Sequence, residues 1–125
     1  MTAAALVLAE PLSFWGGFDP VSGRIIDVRH PDHGVQVAGC VLVLERTIGS
    51  SGAPGVIAEA IRRGTGPAAI VLGEPSLAVA IGTLTPEVLY GVITPYAVVD
   101  KSVLSAIQTA EVLTVSYDGH VVRAG

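Results

Sequence analysis

Between Ile48 and Val56 the chain carries only Gly-Ser-Ser-Gly-Ala-Pro-Gly, a run of small residues with two hydroxyls. A serine hydroxyl is a poor base at neutral pH, so chemistry at Ser50 or Ser51 needs either a neighbouring base or stabilisation of the deprotonated oxygen. The flanking sequence offers the second. Pro54 to Arg63 has apolar residues at Val56, Ile57, Ala60 and Ile61, with Arg62 and Arg63 at its end and Gly64 beyond, which predicts a helix opening just after the loop. The first amides of such a helix lack intrahelical partners, and its aligned dipoles place roughly half a positive charge there. An alkoxide would be favoured at that mouth, and so would a ligand carboxylate or phosphate. Gly49 and Gly52 would allow close backbone approach. Taken alone, Gly-Ser-Ser-Gly is more often a flexible connection than a site, and the Gly-Lys-[Ser/Thr] ending of a phosphate-binding loop is absent.

Two further clusters bear on chemistry. Asp27, His30, Asp32 and His33 crowd into Asp-Val-Arg-His-Pro-Asp-His-Gly, where imidazole and carboxylate suggest metal ligation. Pro31 and Gly34 mark a turn that the same polar groups would cap, so no metal site is expected, and His30 is the histidine expected to bond the chain near a site. In Leu-Ser-Phe-Trp-Gly-Gly-Phe-Asp-Pro, three aromatics of the chain's six fall between Phe14 and Phe18. They read as core or interface anchors, or as partners of a Gly16-Gly17 bend that turns amides toward a ligand. The single cysteine, Cys40, leads into Val-Leu-Val-Leu and reads as a small hydrophobe; one thiol can neither form an internal disulfide nor hold an iron–sulfur cluster.

The elements that must position these groups are short. Gly and Pro punctuate apolar runs every 8 to 15 residues, predicting strands over Val41–Leu44, Ala68–Leu72, Ala97–Val99 and Val112–Tyr117. Arg24–Asp27 and Gly34–Val37 are further short candidates. Asp118-Gly119 predicts a closing hairpin with a two-residue turn, and Thr85-Pro86-Glu87 predicts a second, shorter helix capped by Thr85. An α+β fold follows, with a β-barrel or sandwich-like core and one or two flanking helices, rather than a doubly wound sheet.

The 125 residues fit one domain spanning 1–125. Half are hydrophobic and only 14% are charged, a surplus that a buried β core or a partner-docking face would cover. A net charge of −4 with scattered basic residues argues against nucleic acid, and no apolar run reaches the roughly 18 residues a membrane span requires. Ala-Ala-Ala-Leu-Val-Leu-Ala-Glu near the N-terminus is short and lacks a basic lead-in, so it does not read as a signal peptide, and a cytoplasmic protein is expected.

The ordered series Pro-Leu-Ser-Phe-Trp-Gly-Gly-Phe-Asp-Pro (11 to 20), Gly23, Ile-Ile-Asp (25 to 27), His30, Gly34, Gly39 with Val-Leu-Val, Gly49-Ser50-Ser51, Arg-Arg-Gly and Gly-Pro-Ala-Ala-Ile-Val-Leu (66 to 72) resembles the small-subunit, or swivel-domain, family of aconitase X. The resemblance runs from Pro11 to about Val99. It implies a swivelling β/β/α domain like the fourth domain of aconitase, packed on a large subunit that carries an iron or iron–sulfur centre. The pair would be a hydro-lyase, and this chain would be inactive alone and bind no cofactor. The family's proton acceptor, the first serine of the loop, falls on Ser50, which would remove a proton next to a carboxylate while the partner's iron draws off hydroxide. Substrate contacts are expected from Ser51, Gly49, Gly16, Gly17, Asp19 and His30. The aromatic motif and the scarcity of basic residues near the loop favour the branch dehydrating cis-3-hydroxy-L-proline over the branch acting on 5-phosphomevalonate. Gly52-Ala53-Pro54-Gly55 and Glu45-Arg46-Thr47-Ile48 depart from the usual loop. The rival from another class is a non-catalytic assembly or regulatory β-barrel module with an inert Ser-Ser loop.

Overall fold

The computed structural model describes residues 1–123. Its elements in chain order are β1 (Thr2–Val7), the single turn α1 (Phe14–Gly17), β2 (Phe18–Asp19), β3 (Arg24–Ile25), β4 (Val41–Leu44), α2 (Ala53–Arg63), β5 (Ala69–Leu72), α3 (Leu77–Tyr90), β6 (Tyr96–Val98), α4 (Lys101–Ala106), β7 (Val112–Val115) and β8 (Val121–Arg123). Six strands form one sheet in the order β6-β5-β4-β1-β7-β8, while β2 and β3 make a separate two-stranded ribbon.

The unbroken apolar runs Val-Leu-Val-Leu and Ala-Ile-Val-Leu occupy the middle of this sheet because both of its faces are covered. Every residue of β4 and β5 is buried. In register, Val41 pairs with Ala69 and Leu44 with Leu72, in parallel. One face, through Leu42, Leu44, Ile70 and Leu72, packs on Ile57, Ala60 and Val79 of α2 and α3. The other, through Val41, Val43, Ala69 and Val71, packs on Ile107, Leu113 and Val115. β1, β4, β5 and β6 run parallel, whereas β7 and β8 pair antiparallel. The sheet curls so strongly that a Cβ at Gly119, in the β7–β8 turn, would lie 3.7 Å from the Tyr96 carbonyl of the opposite edge. The barrel-like core of the sequence reading is therefore one nearly closed sheet.

Several local expectations are corrected. The run after Met1 is β1, flanked on both sides by β4 and β7. The second helix starts at Leu77, eight residues before Thr85, with Ser76 as its cap, and continues through Pro86. Proline removes one helical bond. The Thr83 and Thr85 hydroxyls donate to the Val79 and Ile81 carbonyls at 2.7 and 2.9 Å, back-bonds that often accompany a bend in a helix. α4 was not foreseen. Arg24–Asp27 shrinks to Arg24–Ile25, and Gly34–Val37 contributes a lone bridge from Gln36 to Arg24. The closing turn is a three-residue loop in which Gly119 alone has positive φ (87°), the Ser116 amide donating to the His120 carbonyl at 2.9 Å. No helix among the described residues is long and apolar enough to cross a membrane.

Candidate functional site

Because β4 and β5 are parallel, the helices that follow them start at the same edge of the sheet. Crevices beyond the carboxyl ends of parallel strands are where open α/β sheets bind ligands. Here an open hollow of about 500 Å³ lies between the two helix starts, lined by Thr47, Ser50, Ser51, Pro54, Ser76 and Ile81 among others. α2 and α3 hold each other in place through Gly82, where a Cβ would sit 2.7 Å from Ile57 Cβ.

Ser50 is half-buried, and its Oγ accepts a hydrogen bond from the Gly52 amide at 3.3 Å. Its carbonyl accepts from the Ala53 amide, also at 3.3 Å. Gly52 is the N-cap of α2 and supplies no side-chain cap. Pro54 has no N–H, and the Gly55 amide has no partner among the described residues. The mouth of α2 thus directs one amide at the Ser50 oxygen and leaves a second open, a smaller set of donors than a full first turn offers. At the facing helix, Ser76 Oγ accepts from the Val79 amide at 3.3 Å and shares a 2.8 Å hydrogen bond with Thr47 Oγ1. No charged side chain is among the groups lining the hollow. Its polar character comes from hydroxyls and helix ends.

The other expected site residues divide. Gly49 and Ser51 line the hollow with Ser50. Gly16 is exposed with φ 82°, in the turn beside the loop; Leu12 bridges Thr47, and the Ile48 amide donates to the Leu12 carbonyl at 2.9 Å. Gly17 is buried, its amide bound to Ser13 and its carbonyl to Ile26, so its peptide groups are turned inward. His30 is 7% exposed. Its Nδ1 accepts from the Asp32 amide at 3.0 Å, which leaves Nε2 to donate to the Glu10 carbonyl at 3.2 Å. The ring fastens the segment leading to Leu12 and does not reach the hollow. Asp19 lies elsewhere. Its carboxylate accepts from the Val21 and Ser22 amides, and the Ser22 hydroxyl and Val21 amide, with Arg63, hold its pKa below the usual value. Arg63 and Thr65, whose hydroxyl binds the Pro20 carbonyl, are at the far end of α2, about 16 Å of helix from Ser50.

Sequence reasoning missed Thr47, Ser76 and Ile81. The available signal was a second strand–loop–helix unit, Ala-Ile-Val-Leu-Gly-Glu-Pro-Ser, repeating the first in outline. Gly52 was also misjudged. Its φ of −86° suits any residue, and it is small because Trp15 packs on it.

Comparison with known proteins decides the lineage. The family model described as the aconitase X swivel domain matches residues 1–124. The chain belongs to that family. The match extends past both ends of the Pro11–Val99 resemblance, taking in β1, α4, β7 and β8. This swivel domain is 42% identical over 86 residues to cis-3-hydroxy-L-proline dehydratase of Pseudomonas aeruginosa, covering 69% of this chain and 15% of that protein. It is equally 42% identical over 79 residues to the phosphomevalonate dehydratase small subunit of Methanothermobacter thermautotrophicus, covering 63% and 60%. The crystal structure of Thermococcus kodakaraensis aconitase X superposes with a TM-score of 0.84 at 30% identity, over 98% of this chain and 88% of that one. The chain thus spans less than two thirds of the two curated relatives. An iron–sulfur centre does not fit the donors here. Cys40 is the sole cysteine, and no group of three or more His, Cys, Asp or Glu side chains gathers among the described residues.

Proposed function

We propose that this swivel domain is the small subunit of an aconitase X-type dehydratase and that Ser50 is its proton acceptor. The observation carrying the proposal is the half-buried Ser50 hydroxyl on the rim of a hollow between two helix starts, with the Gly52 amide directed at its oxygen. An alkoxide there gains a hydrogen bond and the positive end of α2, interactions worth more once a docked surface excludes water. In the reaction Ser50 takes the proton from the carbon beside the substrate carboxylate. The adjacent carbon loses its hydroxyl, and a carbon–carbon double bond forms. The group that accepts the hydroxide and the charges that hold the carboxylate belong to a large subunit, since no charged side chain of this chain lines the hollow. Leu77, Ile81, Leu84 and Val88 follow one another at i, i+4, i+7 and i+11 along α3, all exposed, which supports a docked large subunit beside the site.

The substrate proposed is cis-3-hydroxy-L-proline. Support comes from the Pseudomonas relative and from the absence of Lys or Arg among the hollow's lining residues, since a phosphate is normally met by basic groups. Phosphomevalonate is the second reading, supported by the Methanothermobacter relative. Co-expression with the large subunit, followed by assay of both compounds, separates them. The expected result is turnover of the hydroxyproline, abolished or nearly so in Ser50→Ala without loss of the complex. Undiminished turnover in that variant would leave only the assembly-module reading.

A further inference from the structure

Three aromatics cluster in the first motif, and the structure treats them differently. Phe14 and Phe18 are 1% and 2% exposed and meet edge to face, with centroids 5.6 Å apart. Trp15 between them is 62% exposed. Burial does not account for its place. A Cβ on Gly52 would lie 2.5 Å from Trp15 Cε3, 2.9 Å from Cδ2 and 3.0 Å from Cζ3, so the six-membered ring rests on the Gly52 α-carbon. That peptide both caps α2 and donates its N–H to Ser50.

We infer that Trp15 is a positioning residue, which fixes the direction of the Gly52 N–H toward Ser50 and covers one side of it. This inference rests on the reading of Ser50 as the base. The backbone that carries the ring is held from two directions. Ser13 Oγ donates to the Trp15 carbonyl at 2.9 Å and the Gly17 amide to the Ser13 carbonyl at 3.1 Å. The Leu12–Thr47 bridge fastens the same segment to the loop. Gly16 supplies the positive φ that turns the chain back into the core directly after the ring. A ring seated on the Gly52 α-carbon fixes the direction of that amide before charge develops, and a donor already aimed at the oxygen has no reorganisation to make when Ser50 loses its proton.

The contact can be broken from either side. In the chain reconstituted with its large subunit and assayed on cis-3-hydroxy-L-proline and 5-phosphomevalonate, Gly52→Ala and Trp15→Leu should each lower kcat about 10- to 100-fold, as small misplacements of catalytic groups do. KM should change little. Combined, they should cost no more than the worse single variant, because both remove one contact. Trp15→Phe, which keeps a ring over Gly52, should retain most of the rate. Trp15 is the chain's only tryptophan. Its emission should therefore move to longer wavelength in Gly52→Ala of the chain alone, independently of any assay. Additive losses, a change confined to KM, or unshifted emission would overturn the inference. Normal turnover in Trp15→Leu beside an inactive Ser50→Ala would overturn this inference alone, whereas full activity in Ser50→Ala would overturn both.

Discussion

α2 and α3 begin at the same edge of the sheet and face the same hollow, yet their first turns are finished in opposite ways. α3 is closed by its own residue, with Ser76 accepting from the Val79 amide and bound in turn to Thr47. α2 is capped by a glycine with no side chain, and its nearest hydroxyl, on Ser50, stands on the open side. On the reading proposed for Ser50, one helix end commits its donor to a stabilising cap and the other directs an amide at the oxygen on which charge would develop. The proposed function thus separates stability from chemistry across two strand–loop–helix units of like outline.

That division can be attacked at four points. The largest effect is expected at Ser50→Ala, where loss of the proposed base should lower kcat about 10²- to 10⁴-fold with the complex intact, measured by steady-state kinetics of the assembled pair. Next is Gly82→Ala. A methyl group there meets Ile57 Cβ at 2.7 Å and the Pro54 carbonyl at 3.1 Å, so α2 and α3 must separate. Overpacking of this kind should cost about 1 to 3 kcal/mol in denaturant unfolding. Ser76→Ala should cost about 1 kcal/mol as a lost cap, with a far smaller kinetic effect than Ser50→Ala. A kinetic defect as large as that of Ser50→Ala would erase the distinction between the two helix ends.

The smallest effect belongs to the hairpin edge, none of whose residues lines the hollow. The Ser116 hydroxyl and then His120 hold the Asp118 carboxyl down from 3.8 to about 2. Because the folded-state pKa is the lower one, this contribution is present above the ordinary carboxylate range and fades as pH falls toward 2. Asp118→Asn should flatten stability-versus-acid curves in that window and leave kcat unchanged.

How much of this was legible in the sequence depended on whether one segment carried its own signal. Val41–Leu44 and Ala69–Leu72 were, because a strand buried on both faces is apolar throughout. α2 was, because its amphipathic period, its proline and its Gly64 stop agree. β1 was not. Ala-Ala-Ala has little strand propensity, and Thr2–Val7 is held by partners 36 and about 110 residues away, β4 and β7. α3 was obscured by Pro86 and by threonines that read as polar turn residues. At the site, Ser50 and its helix were visible, whereas the facing helix start and the indole over Gly52 arise from tertiary contacts. Asp19 and His30 were expected to touch substrate; neither lines the hollow, and their hydrogen bonds fasten turns.

The central claim is that Ser50 removes the hydrogen next to the carboxylate, and isotope transfer reads that step without relying on overall turnover. Substrate deuterated at that carbon, incubated with the assembled pair in ordinary water, should lose its label to solvent in the native protein and retain it in Ser50→Ala. Label loss at the native rate in Ser50→Ala would contradict the account.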